Sequence, residues 1–118
     1  PDHAHAHNAL GYSLADRNLR LEEAEALIVR ALELSPDDPF ILDSLGWVRF
    51  RRGDGAAALA HLERAYAKRQ DAEIAAHLGE VLWSLSRRDD ARRILDQALA
   101  AHPENTLLVD TARRLGIR

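Results

Sequence analysis

The dipeptide Leu-Gly recurs at Leu10-Gly11, Leu45-Gly46 and Leu78-Gly79, which sets the glycines 35 and 33 residues apart. Behind each pair comes a small-large-small element: Ala24, Ile28 and Ala31, then Ala58, Leu62 and Ala65, then Ala91, Leu95 and Ala98. Pro36 and Pro103 close the first and third units, where the second carries Gln70. A repeat of this length cannot bury its own apolar face and must stack against copies of itself. Gly inside a helix costs roughly 1 kcal/mol relative to Ala, so its recurrence marks a place where two helices touch and a Cβ would hold them apart. The alanines perform the same service on the facing helix.

The expected helices follow from apolar periodicity. The first runs from about Ala4 to Asp16, followed by the turn Arg17-Asn18-Leu19-Arg20, one residue longer than the repeat requires. The second covers about Leu21 to Leu34, with Ala24, Leu27, Ile28, Ala31 and Leu32 on one face. Asp38 is the expected N-cap of the next helix, with Pro39 as its first residue. The central pair spans about Pro39 to Arg52 and Gly55 to Arg69. Its turn is expected to be soft, because Gly55 occupies the slot of Leu21. The third pair covers about Ala72 to Ser86 and Asp89 to Ala101. A last helix, about Thr106 to Leu115, places Leu108, Val109, Ala112 and Leu115 on one side and Asp110, Arg113 and Arg114 on the other, the pattern of a terminal cap. Arg49 stands where Leu14 and Leu82 are apolar, so its stem is expected to lie along the core with the guanidinium in water.

With 118 residues the chain is one domain, and its Ala, Leu, Arg and Glu content favours an all-helical fold. The net charge is −3, and the Arg49-Arg51-Arg52, Arg87-Arg88 and Arg92-Arg93 clusters are interrupted or balanced by acids. They read as solvated faces, not as a nucleic-acid stripe. No apolar run reaches the ~20 residues of a membrane helix, so no direct membrane insertion is expected. Without cysteine there is neither disulfide nor thiolate chemistry. His3, His5 and His7 form the one metal-like pattern, with His3 and His7 at i, i+4, but no third ligand accompanies them. No phosphate loop, nucleophile elbow or activated thiol is present, and the Glu22-Glu23 and Asp89-Asp90 pairs suit helix N-termini. No enzymatic activity, cofactor or metal is expected.

The three units in register resemble the tetratricopeptide repeat, a unit of about 34 residues with Leu-Gly in its first helix, small-large-small alanines in its second and Pro at its end. The resemblance implies a right-handed solenoid of three antiparallel helix hairpins, units of about 4–38, 39–71 and 72–105, closed by a capping helix at about 106–115. Pro1-Asp2-His3-Ala4 aligns with the unit junction Pro36-Asp37-Asp38-Pro39, so the sequence is expected to be part of a longer array with an uncapped start.

In that family the first helix of each pair lines a concave surface through its second, fifth, sixth, ninth, twelfth and thirteenth positions. Those slots hold His5, Asn8, Ala9, Tyr12, Ala15 and Asp16 in unit one, Phe40, Asp43, Ser44, Trp47, Phe50 and Arg51 in unit two, and Glu73, Ala76, His77, Glu80, Trp83 and Ser84 in unit three. Five of the six aromatic residues, all but Tyr66, fall on them. Rings on a concave surface supply apolar area at low entropic cost, which suits a groove for another protein segment. The alternative is packing between units, for Phe50 and Trp83 above all and less so for Tyr12, Trp47 and Phe40. The candidate groove is therefore Asn8, Tyr12, Phe40, Asp43, Ser44, Trp47, Phe50, Arg51, His77, Glu80 and Trp83. Family members that grip a chaperone's terminal carboxylate use Lys, Asn and Arg at slots that here hold Asn8, Tyr12, Ser44, Glu73 and His77, so that cationic clamp is missing.

The expected function is a protein-interaction module, a scaffold or adaptor for a protein or peptide partner, binding neither nucleic acid nor cofactor. Two other roles remain open: a closing end of a longer solenoid that self-associates, and a regulatory adaptor for a partner enzyme such as a protease. Phrases such as Leu42-Asp43-Ser44-Leu45-Gly46-Trp47 are similar to the C-terminal repeats of large proteobacterial members of the family, some of them outer-membrane lipoproteins. That likeness implies a bacterial cell-envelope setting in preference to a cytoplasmic one.

Overall fold

The computed structural model describes residues 2–117. Among them are seven helices and no strand: α1 (Asp2–Asp16), α2 (Leu21–Leu34), α3 (Pro39–Arg51), α4 (Gly55–Lys68), α5 (Ala72–Ser84), α6 (Arg88–Ala101) and α7 (Thr106–Arg114). Each lies within two residues of its expected bounds.

Local chemistry sets the helix starts. Asp38 accepts hydrogen bonds from the backbone N–H of Phe40 at 2.8 Å and Ile41 at 3.2 Å, with Pro39 in the first turn. Asp71 does the same for Glu73 and Ile74, Asp54 caps Ala57, and Asn105 caps Leu108. These side chains satisfy N–H groups that have no partner inside the helix. By contrast, α2 and α6 follow Arg20 and Arg87 without a side-chain cap and carry acids in their first turns, Glu22 and Glu23 or Asp89 and Asp90, where the helix dipole favours them. The long first turn folds through two residues in the left-handed region, Asn18 at φ 55° and Arg20 at φ 47°.

The glycines act at the hairpin contacts. A Cβ on Gly11 would lie 2.6 Å from Ile28 and 2.9 Å from the carbonyl of Ala24; on Gly46 it would lie 2.7 Å from Leu62; on Gly79, 2.6 Å from Leu95. Ile28, Leu62 and Leu95 are the large residues of the small-large-small elements, and all three are fully buried. Pairs α1/α2, α3/α4 and α5/α6 thus close as antiparallel hairpins, and α2 packs on α3 as α4 packs on α5. Ile41, Leu45 and Val48 of α3 join Ala24, Ile28 and Ala31 in one cluster, while Ile74, Leu78 and Val81 of α5 join Leu62 and Ala65 in another. Leu10 holds the same position in α1 as Leu45 and Leu78 hold in α3 and α5. It is 54% exposed where they are 5% and 3%, because among the described residues no helix packs on α1 as α2 packs on α3.

The turn at Gly55 is better filled than its sequence suggests. A Cβ there would meet Leu85 at 2.9 Å, so the slot that Leu21 fills in unit one is filled from the following unit. Arg49 behaves as expected along its stem, but its guanidinium is paired: Nε lies 2.9 Å from the Glu25 carboxylate, which Arg52 also reaches at 3.2 Å. Helix α7 buries Leu108, Thr111 and Ala112 against α5 and α6 and exposes Asp110 and Arg113. Among the described residues no helix is long and apolar enough to cross a membrane.

Candidate functional site

Helices α1, α3 and α5 run side by side and bring most of the expected groove residues to one surface, but not as an open row of rings. At its centre His77 of α5 is 2% exposed. Its Nδ1 lies 2.8 Å from Oδ1 of Asp43 on α3, and its Nε2 lies 3.2 Å from the hydroxyl of Tyr12 on α1. The ring stacks on Trp47 with centroids 4.2 Å apart. The Trp47 indole N–H in turn donates to Asp16 at 3.3 Å, and the guanidinium of Arg51 lies 4.9 Å from the Trp47 ring.

This arrangement corrects the expected groove. Trp47 is 4% exposed, and Asp43, Ser44 and His77 are likewise buried. They lie beneath the surface that α1, α3 and α5 share, not on it. The cause is the His77–Asp43 pair: a buried carboxylate needs a partner, and the imidazole that reaches it lies flat on Trp47. The Ser44 hydroxyl is satisfied by the Phe40 carbonyl of its own helix at 3.1 Å. Phe40 is the ring left open, 39% exposed with the Arg69 guanidinium 5.6 Å from its centroid. Phe50 and Trp83 are half-buried against the cores, the inter-unit packing that was the alternative for both. Arg88 and Arg92 lie over the Trp83 ring at 4.5 and 5.4 Å.

Two shallow cavities flank the Tyr12–His77 contact. One, of about 120 Å³, is lined by Asn8, Ala9, Tyr12, Phe40, Asp43, Ser44 and Glu73. The other, of about 310 Å³, is lined by Asp16, Trp47, Arg51, His77 and Glu80 together with Leu107, Thr111 and Arg114 of α7. Helix α7 therefore supplies a wall of the second cavity, a role its sequence did not announce. Arg114 was placed on the outer side by helical periodicity, yet it turns inward to pair with Glu80 at 2.7 Å. Counting from Thr106, it occupies the ninth slot, as Tyr12, Trp47 and Glu80 do in their helices, and that register was the available signal.

The electrostatics follow from burial. Removal from water would lower the His77 pKa, but the adjoining Asp43 carboxylate, with Glu73 and Asp16 farther off, outweighs it and the pKa is raised. Burial raises the Tyr12 pKa, and Asp16, Asp43 and Glu73 push it the same way against Arg51. Among the described residues no cluster of three or more His, Asp or Glu side chains is arranged to hold a metal ion. The His7 ring is instead hydrogen bonded to the backbone carbonyl of His3 at 2.6 Å. His61, half-buried near Arg49 and Arg64, has its pKa lowered, by burial first and then by those charges.

Comparison with known proteins agrees with this architecture. Two family models, both described as tetratricopeptide repeat, match residues 49–114 and 1–39. A curated TPR repeat-containing protein of Pseudomonas aeruginosa is 55% identical over 80 residues, 68% of this chain and 14% of its own length. The chain thus spans about a seventh of that relative. Among solved structures, the first TPR of Spaghetti (RPAP3) bound to the HSP90 peptide SRMEEVD superposes with a TM-score of 0.81 at 16% identity, covering 98% of this chain and 91% of that one. A thermophilic TPR protein of Thermus thermophilus, TTC0263, superposes at 0.72 with 28% identity over 82% of this chain and 50% of its own. With a family model matching more than half its length on top of the three hairpins, the chain belongs to the tetratricopeptide repeat family.

Proposed function

We infer that this domain is a scaffold or adaptor that holds a segment of a partner protein along α1, α3 and α5 and performs no chemistry on it. The observation that carries the reading is the open Phe40 ring beside Tyr12, Asn8 and Glu73 on the concave side. An exposed ring next to polar side chains is the composition of an anchor site. Asn8, Tyr12, Phe40, Arg51, Glu80 and the half-buried Phe50 and Trp83 are the contact candidates; Asp43, Ser44, Trp47 and His77 support them from beneath. The peptide held by the Spaghetti domain lends the general mode, a segment seated on a TPR domain, while the missing cationic clamp sets this chain apart from binders of a terminal carboxylate. A partner co-purified with the tagged domain should be lost on Phe40→Glu and retained on Glu63→Ala, a change on α4 away from the concave side. Equal retention of the partner by both variants would reject the reading.

One observation favours a second role, the closing end of a longer solenoid. The exposed Leu10 face of α1 has the position that stacking buries in α3 and α5. At the other end, Arg113 occupies the eighth slot of α7, where Gly11, Gly46 and Gly79 admit a partner helix, which supports α7 as a capping helix. Self-association through the Leu10 face would appear as a concentration-dependent mass that Leu10→Lys abolishes.

A further inference from the structure

In a stack of helix hairpins each unit touches only its neighbours, so the curvature of the concave face is the sum of two nearest-neighbour rotations. The backbones of α1 and α5 make no close approach, lying on either side of α3. Their side chains nevertheless meet: the Tyr12 hydroxyl reaches His77 Nε2 at 3.2 Å across 65 residues of sequence. This contact from unit one to unit three lies outside the nearest-neighbour scheme, and any widening of the concave face must break it. Directly beneath it lie Trp47, stacked on the same imidazole, and Asp43, bonded to its other nitrogen.

We propose that Tyr12 and His77 form a clasp that holds the concave face narrow, and that its opening uncovers a floor of Trp47, Asp43 and Ser44 able to contact a partner. Closed, the domain offers a segment Phe40, the rims of the two cavities and the half-buried Phe50 and Trp83. Open, it adds an indole and a carboxylate. Binding to the floor is then coupled to a change of curvature, because a ligand that contacts only the open state shifts the population toward it.

The clasp survives a change of charge on the ring. Neutral His77 donates from Nδ1 to Asp43 and accepts the Tyr12 hydroxyl proton at Nε2; the imidazolium donates from both nitrogens while Tyr12 accepts. Its strength still varies with pH. Asp16 of α1, Asp43 of α3, and Glu73 and Glu80 of α5 surround the ring with negative charge, against Arg51 of α3 and Arg114 of α7. A ring whose pKa is raised in the closed state and ordinary in the open one favours closure at low pH and loosens it as pH rises through the closed-state value.

The proposal concerns the same concave face but is tested on the isolated chain, so its failure leaves the partner reading standing. In a Trp83→Phe background Trp47 is the sole indole, and acrylamide quenching reports its access to solvent. Tyr12→Phe keeps the ring and removes the hydroxyl. It should raise the open fraction, and with it the accessible fraction of Trp47, by about 2- to 10-fold, the equilibrium change expected for one net hydrogen bond. Quenching should also rise with pH in the Tyr12 parent. Unchanged quenching in a Tyr12→Phe protein of full helical content would overturn the clasp. Should that variant lose helicity, nitrogen NMR of His77 in the parent decides. A ring protected from solvent exchange at low pH and released at high pH supports the clasp, and one freely exchanging throughout refutes it.

Discussion

Substituting Gly46 by Ala tests the hairpin contact at the middle of the array, where units on both sides hinder relaxation. On an exposed helix the change would stabilise by roughly 1 kcal/mol through helix propensity. Here the new methyl would lie 2.7 Å from Leu62 Cγ, 3.2 Å from Leu62 Cδ2 and 3.2 Å from the Ala58 carbonyl. Leu62 is fully buried and its Cγ is not the free end of a flexible chain, so the hairpin must spread. Overpacking of this kind costs about 1–3 kcal/mol, and with the propensity gain set against its upper part the variant should be less stable by about 1–2 kcal/mol. Leu62→Ala alone should cost about 2–5 kcal/mol as a cavity. In the double variant the methyl introduced at position 46 enters that cavity, so the two losses should fall short of their sum by about 1 kcal/mol. Urea unfolding followed by circular dichroism measures all three. A stabilised Gly46→Ala, or strict additivity with Leu62→Ala, would refute the claim that Gly46 is there to admit Leu62.

Stability should fall as pH rises from the range below about 6.5, the ordinary histidine value, through the raised folded-state pKa of His77. Asp43→Asn should flatten that slope in a pH series of urea midpoints. Asp38→Ala and Asp71→Ala each leave two backbone N–H groups without their carboxylate, and each should lower stability by about 1 kcal/mol in the same assay. The HSP90 peptide SRMEEVD should show no saturable binding in calorimetric titration, since Asn8, Tyr12, Ser44, Glu73 and His77 supply no Lys or Arg for its carboxylates. Saturable binding would show that the absent clamp does not decide ligand class.

The fold was legible because it rests on local rules that a single sequence displays: glycines and alanines at hairpin contacts, Asp38 ahead of Pro39, and apolar spacing near 3.6. The site was legible only in part. Register placed Tyr12, Asp43, Trp47 and His77 on one surface, but which way each side chain turns depends on partners from three different helices. Trp47 looked like an exposed anchor because its slot faces the groove. Nothing in its own helix reveals that a histidine 30 residues later covers it. Arg114 was misplaced for a related reason, since periodicity separates apolar from polar faces and cannot foresee an ion pair with Glu80 across helices. The Gly55 turn shows the same limit, its space being taken by Leu85 from the next unit.

The most direct measurement is site-specific photo-cross-linking. A benzophenone side chain at Phe40 or Glu73 borders the smaller cavity between α1, α3 and α5, and one at Glu63 or Asp96 sits on exposed positions of the second helices. The account predicts that a partner protein is captured from positions 40 and 73 and not from 63 and 96. Capture from the second helices alone would contradict it.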